Sequence, residues 1–66
     1  MRIEIPFYDL KDMSIGDNLL LRDYNNSKNS IEGTVVLVDK VFGNLILETK
    51  ESKRFQVKLI VEATEL

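Results

Sequence analysis

Carboxylates are the only side chains in this chain placed to do acid–base chemistry. The 66 residues include no Cys and no His. Their absence removes disulfides, thiolate and imidazole metal ligands, and the commonest general base near neutral pH. Asp9, Asp12 and Asp17 fall close together and are the best local collection of oxygen ligands. A Ca²⁺ loop needs such ligands at a regular spacing. That spacing is missing, so these residues are expected to cap turns. The three glycines are isolated and form no phosphate-cradling loop. No catalytic residue, metal ligand or cofactor site is therefore assigned, and the chain is not expected to be an enzyme.

Binding is the chemistry that remains. Tyr8, Tyr24 and Phe42 lie beside expected turns, where a ring can stack on a base or pack into a partner. Phe7 and Phe55 are expected in the core. Lys50, Lys53, Arg54 and Lys58 form the densest basic cluster and could dock on phosphate or on an acidic protein surface. The overall balance is 9 Lys and Arg against 11 Asp and Glu, with the signs interspersed. Phosphate neutralisation provides most of the affinity of DNA-binding proteins, so DNA is not an expected partner. No stretch nears the roughly 20 apolar residues of a membrane span. The first residues, with Glu4 and Asp9, do not read as a signal peptide. The expected location is cytoplasmic, with no membrane contact.

The elements that must position these residues read as strands. Residues 2–8 alternate, with Ile3, Ile5 and Phe7 on one face, and Pro6 favours a sheet edge. One helical turn at most fits near residues 9–14, and Gly16-Asp17 marks a tight turn. Asn18 to Tyr24 reads as the second strand, followed by the polar run Asn25 to Ser30, expected to be the most exposed loop. Ile31 to Val41 is the longest strand, rich in β-branched residues. Gly33 within it signals a bulge or a close backbone approach. Gly43-Asn44 is a hairpin signal. A two-residue turn there would set Asp39 opposite Glu48, a like-charge pair that a longer loop avoids, so the register stays open. Leu45 to Lys50 and Arg54 to Ala63 complete five strands, joined at the polar turn Lys50 to Lys53.

Five short strands in one domain, residues 1–66, predict an all-β fold, a small five-stranded barrel. Gly16-Asp17 and Gly33-Thr34-Val35 are similar to the corresponding turn and strand of SH3-like barrels. The stretch Ile31-Glu32-Gly33-Thr34-Val35-Val36-Leu37-Val38-Asp39, followed by Asn44-Leu45-Ile46-Leu47-Glu48, resembles the first conserved segment of Sm-like proteins. That resemblance implies a bend at Gly33 and a loop pair formed by Asp39 and Asn44. It further implies assembly into rings, with the loop Asn on an RNA base. Where that family carries its second conserved segment, Lys58-Leu59-Ile60-Val61 reads here as unbroken strand.

Four apolar runs remain to be placed: Leu19 to Leu21, Val35 to Val38, Leu45 to Leu47 and Leu59 to Val61. Side chains alternate across a strand, so each run is apolar on both faces. A core this small supplies roughly 3–5 kcal/mol and has no staple. Leu19 to Leu21 and Leu45 to Leu47 are each expected to turn one residue outward. The expected function is a non-enzymatic interaction module, an adaptor, regulator or inhibitor, acting through protein–protein contacts. Its partner would be another copy of itself or a second protein. The alternative is an oligomeric, Sm-like RNA-binding protein using Phe42, Asn44 and the basic cluster.

Overall fold

The computed structural model describes residues 2–4, 13–26, 28–58 and 62–66. Within them the chain is all-β, with no helix. The strands are β1 (Ile3–Glu4), β2 (Asn18–Asp23), β3 (Ser30–Asp39), β4 (Asn44–Glu48), β5 (Arg54–Lys58) and β6 (Glu62–Glu65). They pair in sequence order as one antiparallel sheet, five strands of four or more residues plus the two-residue β1. The sheet curls into a half-barrel, and an antiparallel bridge between Arg2 and Glu62 brings its first and last strands together.

Alternation decides what the curl encloses. Leu19 and Leu21 of β2, Ile31 and Val35 of β3, Leu45 and Leu47 of β4, Val57 of β5 and Ala63 of β6 point inward and are buried. Ile3 and Met13 join them, and Val38 and Phe55 pack against this core. Each fully buried aliphatic side chain contributes about 1.5–3 kcal/mol. Two outward turns expected of the apolar runs are present: Leu20 is exposed and Ile46 half-buried.

The longest run is divided by a bulge. Val35 lies opposite Leu47 and Leu37 opposite Ile46, so Val36 is an extra residue on β3. Before it, odd-numbered residues face inward; after it, Val38 packs on the core and Leu37 faces out. The irregularity signalled by Gly33 thus falls three residues later. Gly33 itself marks the other alternative, a close approach to β4.

Turn chemistry fixes the register. Between β3 and β4 a four-residue loop, Lys40 to Gly43, places Asp39 opposite Asn44, and Glu48 falls opposite Thr34 instead. The Asp39 carboxylate accepts hydrogen bonds from the N–H groups of Val41 (3.0 Å) and Phe42 (3.1 Å). Gly43 has φ 72°, which is nearly free for a residue without a Cβ. β3 therefore ends at Asp39, short of the expected Val41. In the turn before β2, Asp17 accepts from the Ser14 N–H (2.9 Å). That is the capping role expected of it; Asp9 and Asp12 lie outside the described residues, as does most of the segment 9–14. The polar run after β2 is held by Asn25 N–H to Asp23 Oδ1 (2.9 Å) and Lys28 N–H to Asn26 Oδ1 (3.1 Å).

One expected element is corrected. Arg54 to Ala63 is not a single strand, because β5 ends at Lys58 and β6 begins at Glu62, and the two pair antiparallel with Lys58 opposite Glu62. The chain reverses direction between them. Leu59, Ile60 and Val61 lie outside the described residues. No Gly, Pro or Asn marks the reversal, and for that reason it reads in the sequence as continuous strand.

Candidate functional site

The outward face of the sheet is ordered in rows, because paired residues on neighbouring strands share a face. One row runs Asn18, Thr34, Glu48, Arg54. It is bound laterally: Thr34 Oγ1 donates to Asn18 Oδ1 (2.9 Å), and Arg54 Nε donates to Glu48 Oε2 (2.9 Å). The next row runs Leu37, Ile46, Gln56, Thr64 and carries no charge. A third row, Asp39, Asn44, Lys58, Glu62, carries charge at all but Asn44.

An uncharged strip therefore crosses four strands between two charged rows. Other exposed apolar side chains stand on the neighbouring turns. The turn bearing Ile15 is bound to β3 beside the strip, through Gly16 N–H to the Val35 carbonyl (2.8 Å) and Val35 N–H to the Asp17 carbonyl (2.8 Å). Val41 and Phe42 crown the β3–β4 hairpin. Ile15, Val41 and Phe42 are 71%, 88% and 79% exposed, and Leu37 is 47% exposed. An uncharged row with charged neighbours is one feature of a contact surface.

The residues singled out by sequence do not form one site. Phe42, Asn44 and Lys58 lie at the hairpin end, with Asn44 and Lys58 directly paired. Lys50, Lys53 and Arg54 lie at the other end of β4 and β5. The basic cluster is thus divided by the length of β5, four residues or about 13 Å. Within it Arg54 is engaged by Glu48. Lys50 and Lys53 line an open groove of about 420 Å³ that also holds Glu32 and Glu51, so its charges balance. Tyr24 is occupied by the N-terminal strand: its N–H donates to the Arg2 carbonyl (2.8 Å), and the Arg2 guanidinium lies 5.1 Å from its ring centroid. Tyr8 lies outside the described residues.

Comparison with protein-family models, with curated proteins and with solved structures gives no match. The curled antiparallel sheet is compatible with a small barrel, and the face just described is the strongest functional feature on it. Leu37, Ile46 and Gln56 belong to that face, and sequence reasoning did not single them out as site residues. Ile46 was within reach, as the middle of an apolar run. Leu37 was not, since its orientation depends on the bulge at Val36. Among the described residues no group of three carboxylates could hold a metal ion, and no helix is long and apolar enough to cross a membrane.

Proposed function

We propose that this chain is a non-enzymatic interaction module of small-barrel type, SH3-like or Sm-like, that works by protein–protein contact. One observation carries the reading: the uncharged strip Leu37, Ile46, Gln56, Thr64 lies on the outside of the sheet, and the exposed Val41 and Phe42 stand on the hairpin beyond the Asp39–Asn44 row. Interface centres are depleted of charge and enriched in aromatic anchors, while their rims are polar. The rows through Glu48 and Lys58 supply the rim, and Phe42 is an exposed aromatic on the hairpin beside it. The chain's proposed location is the cytoplasm.

A photo-crosslinking side chain placed at Phe42, in the cell that makes the chain, tests this directly. Protein adducts are expected. Adducts confined to RNA, or none, would refute the reading.

RNA is the second reading, and a separate observation favours it. An exposed ring at Phe42, the amide of Asn44 and the ammonium of Lys58 lie at one end of the sheet, where a base and its phosphate could be held. Glu62 opposite Lys58 and the divided basic cluster work against it. Single-stranded RNA retained at low salt and released by Phe42→Ala would support this second reading.

A further inference from the structure

We propose that residues 2–4 are a releasable clasp: letting go, they open β1 and β6 as one unit while β2 to β5 stay folded. The inference is independent of the contact-face reading. Arg2 holds both sides of the seam in the curled sheet. It bridges to Glu62 of β6, and its carbonyl accepts the Tyr24 N–H (2.8 Å) just beyond β2. Its guanidinium lies 5.1 Å from the Tyr24 ring centroid. Ile3 and Glu4 continue the seam by pairing with Asp23 and Arg22. Residues 2–4 thus link β2 to β6, and their release withdraws that link.

The hold on this seam is weaker than on the rest of the sheet. Local opening occurs where few buried apolar groups and few backbone hydrogen bonds must be given up together. Releasing residues 2–4 gives up one fully buried side chain, Ile3, and the short pairing of a two-residue strand. The contact between Arg2 and Tyr24 adds little, because Tyr24 is exposed and a cation–π pair is weak in water. Releasing β4 gives up Leu45 and Leu47 together with pairing along both of its edges. Opening bares the apolar pocket of Ile3 and the Arg22–Asp23 edge of β2, which residues 2–4 refill on closing.

The test uses the full chain, which has no cysteine of its own. Ile3→Cys, Ala63→Cys and Leu47→Cys each place a single thiol at a buried position, in β1, β6 and β4. Circular dichroism checks that each variant is folded. Under native conditions a thiol reagent should modify positions 3 and 63 at similar rates, about ten times faster than position 47 or more. Labelling at 3 and 63 should depend weakly on urea below the unfolding transition, because little surface is exposed, and labelling at 47 steeply. One common rate at all three positions overturns the proposal. So does a reactive position 3 with position 63 as protected as position 47, which would show β1 opening alone. Should a variant fail to fold, hydrogen exchange of the unaltered chain decides the same point. The amides of Tyr24 and of β6 should exchange together and ahead of those of β4, and a rate common to all refutes the clasp.

Discussion

Gly33 sits so close to Glu48 that a Cβ on Gly33 would lie 2.9 Å from the Glu48 carbonyl oxygen, with the Leu47 Cβ at 3.3 Å. The neighbour is backbone in the centre of the sheet and cannot swing aside. Gly33→Ala should therefore destabilise the chain by about 1–3 kcal/mol, the usual cost of overpacking. A urea titration would show a lower midpoint with the slope retained. An unchanged midpoint would mean that β3 and β4 are not this close.

Ser52 is the opposite case. It adopts φ 62° in the three-residue turn between β4 and β5, closed by Thr49 N–H to the Lys53 carbonyl (2.8 Å) and Ser52 N–H to the Thr49 carbonyl (3.0 Å). A left-handed backbone costs an L-residue roughly 1–2 kcal/mol. Ser52→Gly should raise the melting temperature by about 4–8 °C per kcal/mol recovered in a domain of this size, as calorimetry would show.

Asp39 holds the hairpin that carries Phe42. Its carboxylate accepts two backbone N–H groups at the turn, and hydrogen bonds to a charged group contribute about 1.5–3 kcal/mol when intact and shielded. The turn is exposed, so Asp39→Ala should cost about 1 kcal/mol. Faster amide exchange confined to residues 40–43 is the expected signature.

The ion pair between Arg54 and Glu48 has side chains 58% and 37% exposed. Exposed pairs contribute roughly 0–1 kcal/mol. A double-mutant cycle with Arg54→Ala and Glu48→Ala should return a coupling below about 1 kcal/mol, and smaller still at high salt. A larger value would show the pair to be shielded by a partner.

Two leucines separate core from contact face. Leu47 is fully buried, and Leu47→Ala should cost about 2–5 kcal/mol, enough to unfold most of the population. Leu37 faces outward, and Leu37→Ala should leave the fold of the isolated monomer nearly unchanged. Chemical denaturation of both variants at high dilution checks the contrast.

Much of this architecture can be read in the sequence, and the exceptions have physical causes. Leu45 and Leu47 inward with Ile46 outward follows from alternation alone. The longer loop at Gly43-Asn44 is the alternative that keeps Asp39 away from Glu48, although the sequence leaves the register open and does not announce the cap formed by Asp39. The bulge at Val36 is not legible, because a run of Val and Leu reads the same in either phase. The reversal between Lys58 and Glu62 is hidden for a related reason, since Leu59-Ile60-Val61 carries strand formers and no turn former. Phe42 can be picked out as an exposed aromatic. Gln56 and Thr64 become part of a face only when β4, β5 and β6 are placed in register.

The central claim is that the strip from Leu37 to Thr64 is a protein-contact face. Photo-crosslinking side chains placed one at a time at Leu37, Gln56 and Lys53, in the cell that makes the chain, test it most directly. Protein adducts are expected at Leu37 and Gln56 and none at Lys53. Adducts at Lys53 alone, or none at any of the three positions, would contradict it.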